Sequence, residues 1–489
     1  MEPIEQQPWS GLLADAETRR ELWRQVAELV EYHTTHVEEL RVTPKLAPNE
    51  LRTMLGACDF SRPMTPRQAA EFAAGGLTAH QVHTSHPRYY GLFNPAPTTM
   101  GIAADTLVAA FNPQIAAWSH SPFAAEVERH VIRAFGARFG WDEESTDGAF
   151  TSGGAEANHT AVIVALAAAF PEFAADGVRA IGAQPLIYAS RECHHSLIKA
   201  ARLCGLGTSA VRLIETDENL RLSPRALETA IDRDRAKGGA PFLLVATAGT
   251  TNAGAVDPLA ECAAIAARHG LWYHVDAAWG GAAALVPELR PLLEGIELAD
   301  SITFDAHKWL SVPMGAGVFL TRRMEAMERA FAVRTSYMPR EALDLDVTDP
   351  HLHTIQWSRR FIGLKVFLSL LVAGWEGYER AILHQTAMGE LLRSRLRETG
   401  WVMENDTPLP VICFSDPAGA QAHAIAMEVV GSGEAWISTT ALAGGPAVLR
   451  ACITNYRTRA EDVEALIGAL GRAREKTSHA FAAETANRT

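Results

Sequence analysis

Short apolar runs alternate with amphipathic helical patterns through the middle of the chain. The spacing of hydrophobic residues predicts helices that start at Ser121, Ser223 and Asp257. Buried strands are predicted for the apolar runs PLIYAS (185–190), PFLLVATAGTT (241–251), LWYHVD (271–276) and SITFD (301–305). This alternation is typical of an α/β protein with a doubly wound, mostly parallel sheet.

The pattern also divides the chain into three parts. Residues 1–85 are predicted to form an N-terminal helical arm, and residues 86–375 a large sheet domain. Within the large domain, residues 330–355 hold many charges, two prolines and little periodicity, which is typical of a mobile loop. A helix and two strand-like runs predict a small α+β domain over residues 376–489.

Composition narrows the class of protein. With 489 residues, of which 48% are hydrophobic, the chain can bury a large core. Its net charge of −13 argues against nucleic acid or an anionic membrane as a partner. The N-terminal sequence lacks the pattern of a signal peptide, and the six cysteines, without CxxC spacing, are expected to be reduced. These features predict a cytoplasmic enzyme that acts on a small molecule.

Polar residues stand where the predicted strands end. Asp276 closes one strand and Lys308 follows another, and His194 and Thr247 also lie at carboxyl ends, where doubly wound sheets bind ligands. The chain has only six lysines among its 44 basic residues, so a lysine at this place is notable. Only a lysine can lose its proton and condense with an aldehyde. The alternative is a solvated lysine at a strand end.

A small-residue loop, Thr151–Gly154, precedes a strong helical pattern. Because helix starts present unpaired N–H groups, and glycines let an anion approach them, the loop predicts a phosphate site, with simple turn formation as the alternative. His80, His83 and His86 lack the spacing and the companion ligands of a zinc site. The glycines within 205–210 precede a strand instead of following one, unlike a dinucleotide-binding loop. No metal site is predicted.

An amine, a carboxylate, an imidazole and a phosphate site together match the needs of pyridoxal 5′-phosphate (PLP). Lys308 would form an imine with the cofactor's aldehyde, and Asp276 would keep the ring nitrogen protonated. His194 would lie over one face of the ring, and the small Ala278 would let the other face pack closely. The sequence therefore predicts a PLP enzyme.

Specific motifs extend this prediction over most of the chain. In order they are HPRYYG, TSGGAEAN, the CHHS loop, TAGTT, HVDAAWGG, DAHKW and SRRFIGLK. By these motifs the chain resembles the group II pyridoxal-phosphate-dependent amino acid decarboxylases, the family of aromatic-amino-acid, glutamate and histidine decarboxylases. The resemblance runs from about His86 to Arg457 and implies the type I PLP-enzyme fold, which is that of aspartate aminotransferase.

The resemblance implies a role for each matching residue. Lys308 would be the Schiff-base lysine, Asp276 the partner of the pyridinium nitrogen, and His194 the residue stacked on the cofactor. Further cofactor contacts are implied for Thr247, for the phosphate-binding amides of Gly154 and Ala155, and for His307 beside the lysine.

The resemblance also bears on the product and the assembly. Tyr337 matches a loop tyrosine that protonates the carbanion left after CO2 departs, which favours an amine product. Relatives with phenylalanine at this position tend toward oxidative aldehyde formation. In the family this loop closes over the neighbouring subunit's site, so a homodimer with an exchanged N-terminal arm is implied. Arg450 matches an arginine near the substrate and the loop.

Two departures from the family pattern affect the site. Asp305-Ala306 stands where many relatives have Asn-Pro, and a carboxylate beside a phosphate dianion would repel it, so Asp305 is not assigned to the phosphate. Leu92 stands where glutamate-specific relatives carry glutamine. Together with Phe93, it favours an aromatic or apolar substrate over an acidic one.

The predicted function is decarboxylation of an L-amino acid to the primary amine and CO2. Three alternatives stay open at this stage. The enzyme could act on an acidic or diamino acid such as glutamate, aspartate or diaminobutyrate, or it could be a decarboxylation-dependent aldehyde synthase. A structural relative without activity is a third reading, against which the retention of Lys308 and Asp276 argues.

Overall fold

The computed structural model of the chain describes residues 12–45, 47–339, 342, 344–419 and 421–486, the last eight as backbone only. Parts of the predicted segments lie outside these described residues: 1–11 and 46 in the arm, 340, 341 and 343 in the loop, and 420 and 487–489 near the C-terminus.

Three helices form the N-terminal arm: α1 (Ala16–His36), α2 (Pro48–Gly56) and α3 (Pro66–Ala79). Helix α1 begins at Ala16 because the Asp15 side chain accepts hydrogen bonds from the first-turn N–H groups. A capping box between Thr65 and Gln68 starts α3 in the same way. All residues of these three helices are described and none is buried, so their apolar side chains are left at the surface of the chain.

The large sheet has seven strands in the order β1-β7-β6-β5-β4-β2-β3. The strands are β1 (Asp147–Thr151), β2 (Pro185–Ser190), β3 (Val211–Ile214), β4 (Ala240–Thr247), β5 (Trp272–Asp276), β6 (Ser301–Asp305) and β7 (Gly317–Thr321). Strand β7 runs antiparallel to both of its neighbours, and the other pairs are parallel. The prediction of a mostly parallel sheet is confirmed.

Helices cover both faces of this sheet. They are α4 (Thr99–Phe111), α5 (Pro122–Arg138), α6 (Gly154–Ala169), α7 (Phe173–Asp176), α8 (Ser196–Leu203), α9 (Pro224–Ala236), α10 (Leu259–His269) and α11 (Ala326–Phe331). Short 3-10 helices lie at Val37–Glu39, Trp118–His120, Gly177–Ala180, Thr208–Ala210, Gly280–Leu285, Arg290–Leu293, Ile296–Leu298 and Pro350–Leu352. Alternate residues of β2 enter different cores: Leu186 and Tyr188 belong to the core that also contains α5, α9 and α10, whereas Ile187 and Ala189 belong to the core with α6 and α8. Because both faces are buried, such strands read as continuous apolar runs.

The C-terminal part begins with α12 (Gly363–Glu398), which crosses the predicted boundary at 375 and 376 and is broken at Gly374, where φ is +63°. The remaining elements are β8 (Val402–Met403), β9 (Val411–Ser415), α13 (Ala422–Ser432), β10 (Ser438–Ala441), β11 (Ala447–Cys452) and α14 (Ala460–Ala486). The sheet is antiparallel, in the order β10-β11-β9-β8, so four strands stand where two were predicted.

The C-terminal sheet is joined to the large sheet through four consecutive residues after β4. The carbonyls of Thr251, Asn252, Ala253 and Gly254 each accept a hydrogen bond from the C-terminal part of the chain. The donors are Arg450 Nε (2.9 Å), Cys413 Sγ (3.2 Å), Asn405 Nδ2 (2.7 Å) and Thr407 Oγ1 (2.9 Å), respectively. Residues 251–254 are therefore fixed to the C-terminal sheet as well as to β4, which precedes them in the chain.

Between α11 and Pro350 the described residues form neither helix nor strand. In the described part of the chain, no single helix is long and apolar enough to cross a membrane. The pair Gly154–Ala169 and Phe173–Ala180 meets that test only when taken together, and it bends by 117°.

Candidate active site

The predicted site residues meet at the carboxyl ends of three neighbouring strands. In the sheet register Thr247 of β4 pairs with Asp276 of β5, which in turn pairs with Thr303 of β6. Asp305 ends β6, and Lys308 follows three residues later. The topology thus places the amine and the carboxylate that were predicted from sequence at one edge of the sheet.

Asp276 is held in a fixed orientation. It is 4% exposed, and its Oδ2 accepts a hydrogen bond from Asn158 Nδ2 at 2.8 Å. Its Oδ1 accepts a bond from the backbone N–H of Ala278 at 3.2 Å. A buried carboxylate with neutral donors and no paired cation is suited to hold a positive charge on a ligand.

Asn158 is a site residue that the sequence reasoning missed. Its Nδ2 also donates to Ser196 Oγ at 2.9 Å, and its Oδ1 lies 3.2 Å from His274 Nε2. Ser196 Oγ lies 2.8 Å from His194 Nδ1, so Asn158 links Asp276 to the predicted stacking histidine. The signal was present, because Asn158 stands four residues after Gly154 and thus on the same face of α6.

His194 is exposed toward the site. Partial loss of solvent around its ring lowers its pKa below the usual value, and the nearby Lys308 adds to this while Asp276 opposes it. Its Nδ1 accepts a hydrogen bond from the backbone N–H of Ser196 at 3.3 Å, so the proton of the neutral ring is assigned to Nε2. His194 is therefore a neutral ring at pH 7 with a face open to a ligand.

Lys308, which is half-buried, forms an ion pair with a buried carboxylate that the sequence did not predict. Its Nζ lies 3.0 Å from Asp305 Oδ2, and the Asp305 side chain is 2% exposed. His307 lies beside this pair, with its Nε2 3.9 Å from Asp305 Oδ2. Its Nδ1 accepts a bond from Ala316 N at 3.2 Å, and burial lowers its pKa although Asp305 opposes this.

The predicted phosphate loop lies directly against this ion pair. A Cβ added at Gly154 would be 2.7 Å from Asp305 Oδ2 and 3.2 Å from the Cβ of Ala278, so only glycine allows the start of α6 to come this close. Ala155 follows as the second residue of the helix. Among the described residues Thr247 Oγ1 and Asp305 Oδ1 are buried without a hydrogen-bond partner. Such atoms at one strand edge indicate a site that receives a polar ligand.

An aromatic wall stands beside Lys308. The ring of Phe93 lies 5.8 Å from Lys308 Nζ and 4.7 Å from the ring of Trp279, which stacks on Trp309 at 5.3 Å. Phe93 has a φ of +63°, an unfavourable conformation for its residue type. Backbone strain of this kind is found mostly where a side chain must be held in a functional position.

Arg450 reaches this wall from β11. Its guanidinium carbon lies 4.9 Å from the centre of the Phe93 ring, and its Nε donates to the Thr251 carbonyl. The residue is 2% exposed, and its second terminal nitrogen has no partner among the described residues. A guanidinium in this state can bind a carboxylate that enters the site.

Two predicted residues are not brought to Lys308 within the chain. Tyr337 is 73% exposed and lies against Trp357, with ring centres 6.1 Å apart. Leu92 is 54% exposed. Among the described residues no group of three or more His, Cys, Asp or Glu side chains could hold a metal ion.

The model of the pyridoxal-dependent decarboxylase conserved domain matches residues 74–416. The chain belongs to this family. An aromatic-L-amino-acid decarboxylase of Bacillus atrophaeus is 30% identical over 465 residues, which cover 93% of this chain and 95% of the relative. A cysteine sulfinic acid decarboxylase of Mus musculus is 33% identical over 339 residues, 68% of each chain.

The fold of the family is confirmed by a crystal structure of mouse CSAD. It superposes with a TM-score of 0.87 at 27% identity, and the match covers 94% of this chain and 99% of that one. The type I PLP-enzyme fold, the decarboxylase activity and the PLP cofactor that the sequence predicted are thus confirmed, whereas the roles of the individual residues stay predictions.

The residues of this decarboxylase fit its cofactor. Lys308 would hold the aldehyde end, Asp276 the ring nitrogen, and the first N–H groups of α6 the phosphate. When bound, PLP supplies a protonated ring that accepts the electron pair left on the substrate's Cα as CO2 leaves. The chain itself keeps His194 neutral and oriented through Ser196 and excludes water with the aromatic wall. Asp305 is the exception, because its negative charge would repel the phosphate.

Proposed function

We propose that this decarboxylase acts on an L-amino acid with an aromatic or apolar side chain and releases the primary amine and CO2. The observation that carries the proposal is the ring of Phe93 beside Lys308, which is backed by the buried rings of Trp279 and Trp309. Aromatic rings recognise flat, apolar side chains by stacking and by loss of water-exposed area. Leu92, the exposed neighbour of Phe93 in the sequence, has a side chain without charge or hydrogen-bonding groups.

Arg450 would bind the carboxylate that every amino acid substrate carries. Its unpartnered terminal nitrogen and its contact with Phe93 support this role, since both place a fixed positive charge next to the wall. A charge-assisted hydrogen bond here would orient the bond to be broken without taking part in its cleavage.

An acidic substrate is the second candidate. Arg450 carries the observation that favours it, because a buried guanidinium could equally bind a side-chain carboxylate, and the mouse relative is a cysteine sulfinic acid decarboxylase. Diamino acids fit less well, since Arg450 and Lys308 would repel a second ammonium group.

Incubation with the twenty L-amino acids and cysteine sulfinic acid, with CO2 and amine measured, separates the two candidates. We expect the highest kcat/KM for an aromatic or apolar substrate, and the highest value for an acidic one would overturn the proposal. Arg450→Met should raise KM about 10- to 100-fold for every substrate, because a hydrogen bond to a charged group is lost. If Arg450 instead binds the side-chain carboxylate of an acidic substrate, the KM should rise only for acidic substrates. Arg380→Met is the control, since that side chain is 73% exposed.

The amine product rests on Tyr337, which we propose as the proton donor in the partner subunit's site. Its exposure and its packing against Trp357 support a role outside its own chain's site. Tyr337→Phe should keep PLP bound but divert product toward aldehyde, with uptake of dissolved O2 as the oxidant and release of ammonia and peroxide. An unchanged yield of amine would remove Tyr337 from this role.

We also propose that the enzyme is a homodimer with exchanged N-terminal arms. Large apolar side chains are exposed on the arm, on α4 and on α12: Trp23, Tyr32, Leu77, Phe111, Leu371 and Val372. A surface of this kind favours burial against another protein, and a second copy supplies the same surface in return. Analytical ultracentrifugation should give twice the chain mass, and Leu371→Glu with Val372→Glu should give a monomer. A monomeric wild-type protein would contradict the proposal.

A further inference from the structure

Asp305 stands where its charge affects both ends of the predicted cofactor site. It is the last residue of β6 and is 2% exposed. Its Oδ2 lies 3.0 Å from Lys308 Nζ, and its Oδ1 is buried without a hydrogen-bond partner among the described residues. A buried carboxylate oxygen without a donor is costly, so this carboxylate gains from a proton or from a new partner.

The same carboxylate touches the phosphate loop. Its Oδ2 would be 2.7 Å from a Cβ placed on Gly154, the first residue of α6. The partial positive charge of the helix start stabilises a single anion at this place. A phosphate dianion beside it would be repelled, however, as long as Asp305 keeps its negative charge.

Two charges therefore have to change when PLP is bound. Lys308 must lose a proton, because only a neutral amine can bond to an aldehyde carbon. Asp305 would have to lose its negative charge, because a phosphate held by the start of α6 would lie next to it. The two groups are 3.0 Å apart, so one proton that moves from Lys308 Nζ to Asp305 Oδ2 makes both changes and leaves the net charge of the pair unaltered.

We propose that Asp305 is a positioning residue that holds the Lys308 amine and takes its proton during cofactor loading. The nitrogen lone pair that is set free forms the bond to the aldehyde carbon, and the aldehyde oxygen leaves as water together with the two protons that remain on the nitrogen. The neutral Asp305 would then accommodate the phosphate. This inference rests on the proposed roles of Lys308 and the phosphate loop.

None of the other charged groups described around the pair is placed to accept the Lys308 proton in place of Asp305. His307 Nε2 lies 3.9 Å from Asp305 Oδ2, and burial lowers the pKa of His307. On α6, Glu156 accepts bonds from Ser152 N at 2.8 Å and from Ser152 Oγ. Three further titratable neighbours have partners of their own: Asp276 on β5 with Asn158, His194 before α8 with Ser196, and Lys365 on α12 with Asp105. On β11, Arg450 over the Phe93 ring is a guanidinium with donors only, and burial raises the pKa of the Cys452 thiol to about 12, so neither takes this proton.

The test measures the rate at which PLP-free protein is loaded, followed by the visible band of the bond between Lys308 and PLP from about pH 6 to pH 9. Asp305→Asn is matched in shape and removes the charge. In the wild type the proton stays within the pair, so its rate should be level around neutral pH. In the variant only the amine's own protonation controls loading, so its rate should rise up to about tenfold per pH unit.

Protonation of PLP itself affects the wild type and Asp305→Asn equally, so it cancels in the ratio of their loading rates. Asp232→Asn, at an exposed position of α9, removes the same charge at the surface and should leave the wild-type profile unchanged. Pyridoxal lacks the phosphate, so it tests the repulsion between the phosphate and a charged Asp305. The rate at which PLP loads the wild type should fall at alkaline pH, where the pair has lost its proton, and the rate for pyridoxal should not.

Parallel pH profiles for the wild type and the Asn variant would overturn the role of Asp305. If Asp305→Asn fails to fold, Asp305→Ser gives the same comparison. Failure of the proposed function is a separate outcome, because borohydride reduction followed by peptide mapping would then find no cofactor on Lys308 in the wild type.

Discussion

At the scale of single residues, the site depends on close approach. Position 154 requires glycine, because Asp305 and Ala278 lie where a side chain would stand. Its role as a helix start was predictable from the Gly-Gly pair, whereas its contact with Asp305 was not, since the two residues are distant in the chain and their contact depends on the strand order β1-β7-β6.

Gly154→Ala should weaken PLP binding about 5- to 100-fold, because the added methyl must displace Asp305 or the start of α6, at a cost of about 1–3 kcal/mol. The dissociation constant can be measured by the absorbance of the bound cofactor. Gly75→Ala, in α3 with nothing near its Cβ position, is the control and should bind PLP normally and be slightly more stable. Equal PLP affinities for the two variants would contradict this account of Gly154.

At the scale of elements, α5 sets the start of α12. Glu128 is 4% exposed, and its Oε1 accepts bonds from the N–H groups of Ile362 and Gly363 at 3.1 and 3.0 Å. Its Oε2 lies 2.7 Å from Arg359 NH1 in a buried ion pair. One side chain thus fixes both the first turn of α12 and the segment that leads into it.

Glu128→Gln should lower the free energy of unfolding by about 3–5 kcal/mol, because it leaves the buried Arg359 without a counter-charge. Urea unfolding followed by circular dichroism measures the change. Glu28→Gln removes one side of an exposed pair with Arg24 (3.0 Å) and should change the stability by less than about 1 kcal/mol. A similar small loss for Glu128→Gln would show that water or another group replaces its contacts.

The strands show which elements could be predicted from the sequence and which could not. Strands β2 and β4 were predicted because they are buried on both faces and therefore continuously apolar. Strands β8 and β10 were missed because β8 has two residues and β10 is only partly buried, so neither forms an apolar run. Lys308 and Asp276 could be found from strand ends, but the bond between Asn158 and Asp276 spans 118 residues and follows only from the strand order.

At the scale of the whole molecule, stability should fall in acid. His274 is fully buried in β5, and burial lowers its pKa from 6.5 to about 4, although Asp276 and Ser301 act in the opposite direction. Because the folded pKa is below the unfolded one, the unfolded chain takes up the proton first. The stability that the neutral ring provides is complete above about pH 6.5 and is lost as the pH falls toward 4.

His274→Gln should remove about 3 kcal/mol of this acid sensitivity between pH 6.5 and pH 4. The measurement compares the urea midpoints of variant and wild type at both pH values. His120→Gln, at an exposed position, should keep the wild-type slope. The same slope for His274→Gln would mean that His274 is not responsible.

The four carbonyls of Thr251–Gly254 carry a consequence for engineering this enzyme. All four take their donors from the C-terminal part of the chain, at about 1 kcal/mol each. The C-terminal region is therefore not an interchangeable module. A chimaera that takes this region from a relative must bring matching donors at positions 405, 407, 413 and 450, or the strand edge that carries Thr247 loses its support.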